Sequence, residues 1–441
     1  MIPTNIRVKT EGFRAINEAD IIINGITVVA GENGCGKSSI SKLLYFLYKT
    51  VSNYDLLVKK KLFSNLRDII KFLDIVQQEL RLDAKDRNVR EEFRRETTEL
   101  RRNLESSEYL TDELSKWINL VDKSEQLYKN SLNKHPDLKQ NNVRLKYIIK
   151  DILKVEDFKN ETTDDEIADS FLKIKTFIEV KFKEAIDIIN ARPTSLFTEE
   201  LTSVFSDGDL PKKFEVLEYD DLIVSLEKDH LSIPYNIQNA IYIDTPMMIS
   251  IEDSYNEHWD DLNELLSKKG NNQSKFSQII NKEIIKGDVV IGEGIYSTND
   301  FKFKRSDGEV FNLLDIATGI KSFSILQLLL KNGSISDKTL LIIDEPESNL
   351  HPQWIIEYAR MIVMLNKELG VKFFIATHNP DMVSAIRYIS EKEGNLENVI
   401  FYLAVPSEKK FSFNYQFLDK NIDPIFESFN IAIDRINQYG I

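Results

Sequence analysis

The run Gly31-Glu32-Asn33-Gly34-Cys35-Gly36-Lys37-Ser38 stands between an apolar, β-branched stretch, Gly25 to Ala30, and a segment with Ile40, Leu43, Leu44 and Leu47 at helical spacing. It fits G-x-x-x-x-G-K-[ST] in the context that pattern needs, after a strand and at the opening of a helix. The glycines let successive backbone N–H groups curl around a phosphate, and the helix N-terminus adds its dipole. A phosphate cradle is therefore expected from Gly31, Asn33, Gly34, Cys35, Gly36, Lys37, Ser38 and Ser39. Lys37 is expected to reach the β and γ phosphates of ATP, and the Ser38 hydroxyl to ligate Mg²⁺. Cys35 sits inside the loop, where a small side chain fills space, and no catalytic role is expected of it.

A second apolar strand, Thr339-Leu340-Leu341-Ile342-Ile343, ends in Asp344-Glu345-Pro346. Acids often end buried strands, so the pair alone says little. Far downstream of a phosphate loop, however, it is what the other half of such a site requires. Asp344 is expected to hold Mg²⁺ through water, and Glu345 to polarise the attacking water. Roughly thirty residues later, His378 follows the strand VKFFIAT in Ala376-Thr377-His378-Asn379-Pro380. In that order it reads as a switch that hydrogen-bonds the γ phosphate, so the expected catalytic set is Lys37, Glu345 and His378.

Between these halves the chain changes character. From the helix at Lys37 to Asp207 there is no glycine, and Leu, Glu, Lys and Arg dominate, which predicts helix. Leu66, Ile69, Leu73, Val76 and Leu80 recur at three and four residues, as do Leu110, Leu114, Trp117 and Val121. Neither run lasts the three or four heptads of a long coiled coil, so a compact arm is expected, an antiparallel hairpin or small bundle. FEVLEY and NAIYIDT then read as strands rejoining the first sheet, and the alternation of strand and helix from Val289 onward predicts a parallel sheet covered by helices. FSFNYQF alternates as an antiparallel strand, and Asp423-Pro424 opens a terminal helix. The expected division is residues 1–55 and 208–441 as two parts of one α/β head, with 56–207 as a helical insertion.

Composition narrows the class. The chain is 42% hydrophobic and 29% charged, and no apolar run approaches the roughly 20 residues that cross a bilayer. The N-terminus lacks the apolar stretch of a secretory signal and Cys35 is the single cysteine, so a cytoplasmic protein with no membrane partner is expected. A net charge of −14 argues against a surface coated in basic groups for nucleic acid. One local exception is the stripe Arg87, Arg90, Arg94 and Arg101, which shares a helix face. It would suit a nucleic-acid backbone or an acidic partner, whereas the interspersed Glu91, Glu92, Glu96 and Glu99 suit a solvated helix with i,i+4 ion pairs.

The series GENGCGKS, LLIIDEPESNLHP and ATHNP resembles the ABC-type ATPase heads of the SMC, RecF and overcoming-lysogenization-defect (OLD) group. In that group an N-terminal segment carries the phosphate loop, a helical arm interrupts the head, and a C-terminal segment carries the rest. This chain repeats that order. The resemblance implies an ABC-type head with a mixed sheet that dimerises around ATP, with Glu347 to His351 touching the second protomer. It implies a signature segment completing the partner's site, best matched by Ile316-Ala317-Thr318-Gly319-Ile320-Lys321-Ser322. Ala317 replaces the usual serine there, which weakens the case for brisk hydrolysis and leaves Gly319 as the backbone donor. Arg14 resembles an arginine near the first strand of such heads that approaches nucleotide, although an ordinary surface arginine fits nearly as well.

As a function, the resemblance implies an ATPase that forms a homodimer or higher homo-oligomer and couples ATP state to a separate effector, a nuclease among the candidates. DNA maintenance and phage defence are associations of the group, and nucleic acid stays open as a ligand. A transporter-energising ATPase is the alternative, against which the weak signature and the long insertion count. A self-contained nuclease is a further alternative, disfavoured because only about sixty residues follow His378.

Overall fold

A computed structural model of the chain describes residues 6–79, 87–106, 109–134, 164–205, 209–244, 249, 257–270, 274–292, 300–427 and 437–439. They divide into two compact units, Met1–Ser52 with Pro193–Ile441, and Asn53–Arg192. The first unit therefore resumes at Pro193, ahead of the expected Gly208. The reason is packing: Phe205 meets Phe13 edge-on with ring centroids 5.1 Å apart, and Phe197, on the helix Ser195–Val204, meets Phe214 at 5.7 Å.

The first unit is built on an 11-stranded mixed sheet in the order β6-β5-β4-β1-β2-β14-β13-β3-β12-β11-β7. Its strands are β1 Ile6–Phe13, β2 Ile16–Ile23, β3 Ile26–Ala30, β4 Lys213–Glu218, β5 Asp221–Ser225, β6 His230–Leu231, β7 Asn239–Ile243, β11 Thr339–Asp344, β12 Lys372–Thr377, β13 Val399–Pro406 and β14 Phe413–Asp419. The half that matters for chemistry, β13-β3-β12-β11-β7, is parallel throughout. Its strands are buried on both faces, which is why ITVVA, TLLIID and KFFIAT read as continuous apolar runs and not as alternating ones. One face meets the helix Lys37–Ser52; the other packs Ile26, Val28, Leu341, Ile343, Phe373 and Ile375 into a single core with residues of the helices Thr318–Lys331, Pro352–Leu369 and Pro380–Lys392.

FEVLEY rejoins the sheet as β4 beside β1, and NAIYI as the edge strand β7 beside β11. The expected strand at Phe411 to Phe417 is β14, antiparallel to β13 and parallel to β2. Between Lys275 and Asn312 the chain forms a short helix and a π-helical turn. It then runs into a separate antiparallel sheet of β8 Gly287–Gly292, β9 Asp300–Arg305 and β10 Val310–Asn312. The strand expected at Val289 thus exists in a second sheet. Two helix boundaries carry clear caps. Asn379 accepts from the N–H groups of Asp381 (2.8 Å) and Met382 (3.1 Å) ahead of Pro380, and the left-handed Gly370 ends Pro352–Leu369. Asp423 to Glu427 are helical, and residues 428–436 lie outside the described residues.

The second unit is helical: Tyr54–Glu79, Arg87–Ser106, Leu110–Lys134 and Asp164–Ala191 pack on one another. Leu66, Ile69, Leu73, Val76, Trp117 and Val121 are buried, as their spacing predicts, and Phe171 closes on Phe72 and Tyr128 with centroids 5.4 and 5.9 Å away. Leu80 lies outside the described residues. Lys123 pairs with Glu96 at 2.5 Å and Glu92 at 3.8 Å, across the short link at 107–109, so these two helices form an antiparallel hairpin. Arg94 is exposed; the side chains of Arg87, Arg90 and Arg101 lie outside the described residues.

Candidate nucleotide site

The register of the parallel strands levels three tips. Ala30 pairs with Thr377, and Ala376 with Asp344, so the loops leaving β3, β12 and β11 start side by side at the carboxyl ends of neighbouring strands. That edge is where open α/β sheets collect ligands, because backbone N–H groups and helix N-termini point outward there. Lys37, Ser38, Asp344, Glu345 and His378 are thereby brought together from three segments.

The phosphate loop is shaped by close approach. Gly34 and Gly36 have φ of 82° and 96°, and a Cβ on Gly36 would stand 2.9 Å from Ile16 Cγ1. A Cβ on Gly31 would meet both Ala404 Cβ and Cys35 Sγ at 2.9 Å. The Tyr415 hydroxyl donates to the Cys35 carbonyl at 3.0 Å, tying the loop to β14. Cys35 is fully buried, and burial pushes its thiol above the ordinary value, so it stays a neutral filler. Asn33, Gly34 and Ser38 are exposed, and Ser39 is half-buried. Lys37 is folded inward, donating to the carbonyls of Gly31 (2.9 Å) and Glu32 (3.0 Å). Its ammonium is held over the loop that a triphosphate would enter.

Across the cleft, Asp344 is 5% exposed and its carboxyl is raised above the ordinary aspartate range by burial, partly offset by the hydroxyls of Ser38 and Tyr242. Oδ2 accepts from the Tyr242 hydroxyl at 3.2 Å, whereas Oδ1 is buried and, among the described residues, has no hydrogen-bond partner. A buried, unpaired carboxylate oxygen beside a serine hydroxyl fits a hydrated Mg²⁺, whose charge would offset the cost of burying the carboxylate. Among the described residues no group of three or more His, Cys, Asp or Glu is placed to hold a metal ion by itself.

Glu345 adopts φ 52°, and its N–H donates to the Ala376 carbonyl at 2.8 Å, pinning the turn after β11 to β12. His378 Nδ1 lies 3.3 Å from Glu345 Oε1 and 3.5 Å from Glu347 Oε1. Glu347 is 6% exposed; its Oε1 accepts from the Thr377 hydroxyl (2.7 Å) and the His378 N–H (3.1 Å), so it clamps the two strand tips together. Of the loop expected to face a second protomer, Glu347 therefore points inward, and Asn349 and His351 are exposed.

Arg14 sits in the β1–β2 turn with φ 53°, its guanidinium 4.8 Å over the Phe205 ring and two residues from Ile16, which abuts Gly36. Gly319 opens the helix Thr318–Lys331 behind the cap position Ala317, which makes no side-chain cap bond. It is buried, and a Cβ there would meet Trp354 Cε3 at 2.7 Å. Within one chain, Gly319 is thus a packing glycine against the helix that follows the acidic loop.

Three residues belong beside this site without having been expected there: Tyr242 and Asp244 at the tip of β7, and His258 on the helix Glu257–Leu266. Asp244 follows Ile243, which pairs with Ile343, so it stands level with Asp344; it accepts from Trp259 Nε1 at 2.7 Å and bonds His258 Nε2 at 3.0 Å. The sequence signal was there, since NAIYID, like LLIID, is an apolar strand closed by an aspartate.

This fold and site define a P-loop ATPase head of the ABC type, an α/β mixed sheet interrupted in sequence by helices. The sequence pattern of the AAA ATPase domain matches residues 5–383, and the chain belongs to that family. It is similar to the energy-coupling factor transporter ATP-binding protein EcfA2 of Spiroplasma kunkelii, 27% identical over 185 residues, which are 37% of this chain and 58% of the relative. The EcfA2 protein of Clostridium perfringens is 39% identical over 49 residues, 11% of this chain and 17% of that protein. The chain thus spans little more than half of the first curated relative and a sixth of the second. Among solved structures, the Smc head domain of Pyrococcus furiosus, bound to the C-terminal domain of ScpA, aligns over 98% of both chains at 12% identity and a TM-score of 0.35. The SMC head domain of Thermotoga maritima aligns over 93% of this chain and 98% of its own at 8% identity and a TM-score of 0.35. Among the described residues no helix is long and apolar enough to cross a membrane.

Proposed function

We propose that this chain binds ATP with Mg²⁺, hydrolyses it slowly or on a trigger, dimerises around the nucleotide, and passes the closed state to a separate effector protein in the cytoplasm. The observation that carries the reading is the convergence of Lys37, Ser38, Asp344, Glu345 and His378 at the carboxyl ends of β3, β11 and β12. Lys37 and the loop N–H groups bind and orient the triphosphate. Ser38 and Asp344 would hold Mg²⁺, which neutralises charge on the β and γ phosphates. Glu345 holds the attacking water and accepts its proton; His378, kept in place by Glu347, hydrogen-bonds the γ phosphate. Ala317 leaves the signature segment without its hydroxyl, and Gly319 with the helix N-terminus offers N–H groups to a partner's nucleotide. Arg14, stacked on Phe205 beside the loop, supports the nucleotide edge.

The test is phosphate release and particle mass for the wild type and Glu345→Gln with ATP and Mg²⁺. Slow turnover in the wild type, and an ATP-held oligomer without turnover in the variant, are expected; full turnover in the variant refutes the reading. The effector, a nuclease among the candidates, and any role in phage defence or DNA maintenance are drawn from the resemblance to the SMC and OLD group. Mass measurement of the native complex would identify the companion chain.

A second reading, an ATPase that energises a transporter, is favoured by the partial likeness to the energy-coupling factor proteins. Copurification with a membrane permease would select it. Mg²⁺-dependent cleavage of plasmid by the purified chain, lost on changing acids outside the nucleotide site, would instead select a self-contained nuclease.

A further inference from the structure

The edge strand β7 contributes to the nucleotide site through side chains for which the ATPase reading has no role. Tyr242 is 1% exposed and lies on the face of the sheet that meets the helix Lys37–Ser52. Its ring is wedged between Tyr45 of that helix, centroids 5.8 Å apart, and His258, at 4.9 Å. His258 is itself fixed by Asp244 at 3.0 Å, and Tyr45 by a 2.6 Å bond from its hydroxyl to Asp261, on the same helix as His258. The phenol is therefore held on both faces, and its hydroxyl meets Oδ2 of Asp344.

A carboxylate has two oxygens that compete for any cation or donor nearby. With Oδ2 occupied, Oδ1 is the oxygen left, among the described residues, without a hydrogen-bond partner. We propose that Tyr242 is a positioning residue for the divalent cation: by holding Oδ2 of Asp344 it fixes the carboxylate's rotation and reserves Oδ1 for the Mg²⁺ shell. The inference rests on the Mg²⁺–ATP reading of the site. It also gives the Asp244–His258 pair a task, which is to lock the ring that carries the hydroxyl. A metal-ligating carboxylate oriented by a second hydrogen bond binds its ion more tightly, because less freedom is lost on binding.

The experiment measures thermal stabilisation by ATP, in EDTA and across a Mg²⁺ titration, for the wild type, Tyr242→Phe and His258→Gln. Tyr242→Phe keeps the ring and removes the hydroxyl. Its stabilisation by ATP in EDTA should match the wild type, while the Mg²⁺ concentration at half effect rises roughly ten- to a hundred-fold, the usual cost of losing a hydrogen bond that orients a metal-ligating carboxylate. His258→Gln keeps the hydroxyl and loosens the ring, and should shift the midpoint in the same direction by less. A Tyr242→Phe midpoint within twofold of the wild type overturns the proposal. So does an equal loss in EDTA and in Mg²⁺, which marks a purely structural role, and a variant that fails to fold leaves His258→Gln to decide by the same midpoint. A wild type stabilised by ATP but indifferent to Mg²⁺ overturns the metal inference alone, and one indifferent to ATP overturns the nucleotide reading as well.

Discussion

His378 Nδ1 stands 3.3 Å from Glu345 Oε1, with both side chains about two-fifths exposed at the mouth of the cleft. The two residues come from the tips of neighbouring strands, so neither can move far without disturbing the Glu345 N–H bond to the Ala376 carbonyl. A base that must reach water and a histidine that must reach phosphate are therefore set at a fixed spacing. Glu345→Gln keeps the shape and removes the base. Phosphate release should fall about 10²- to 10⁴-fold while ATP affinity stays within a few-fold of the wild type. Phosphate release and nucleotide titration measured side by side test this.

Among the described residues no carboxylate pairs with Lys37, which caps its own loop carbonyls. Lys37→Ala should abolish the rise in melting temperature that ATP gives the wild type. The ligand-free melting temperature should change by only a few degrees, since the two neutral acceptors lose about 1 kcal/mol each. A preserved ATP shift in this variant would remove Lys37 from the site.

Gly319 separates a packing role from a partner-facing one. Gly319→Ala places a methyl 2.7 Å from Trp354 Cε3, and overpacking of that kind costs about 1–3 kcal/mol. Urea unfolding should show that loss. Combining it with Trp354→Leu, which makes room, should recover most of the stability. Stability restored with ATP turnover still lost would then locate a second role in the backbone at Gly319.

Glu218 offers a pH-dependent readout distant from the nucleotide. It is fully buried at the end of β4, accepts from the N–H groups of Tyr235 and Asn236 (3.1 Å for the latter), and burial raises its pKa. A carboxyl with a raised native pKa binds its proton more tightly folded than unfolded. It therefore favours folding at acid pH, and that contribution is lost as pH climbs through the native value. Glu218→Gln should be at least as stable as the wild type at neutral pH and lose that advantage toward the ordinary carboxylate range. Melting curves at stepped pH would show the two lines converging on the acid side, and parallel lines would contradict the assignment.

Much of this protein was legible before any coordinates. The phosphate loop, the acidic strand and the histidine strand announced themselves because each is a continuous apolar run ended by residues whose chemistry is local. Burial on both faces removes the ambiguity of period, and a glycine loop or an acid pair needs only its own neighbours to be read. The absence of glycine from Lys37 to Asp207 marked the helical unit for the same reason.

Only the tertiary structure decided what depends on residues far apart in the chain. It set the order β3-β12-β11-β7, which levels Thr377 with Ala30 and Asp344 with Ala376, and which brings Tyr242 against Asp344. It also turned Glu347 inward to clamp β12, and returned the helix Ser195–Val204 to the first unit through Phe197. A sequence records which faces must be buried. Which buried face meets which is chosen by the summed packing of the whole sheet, and no single segment carries that sum.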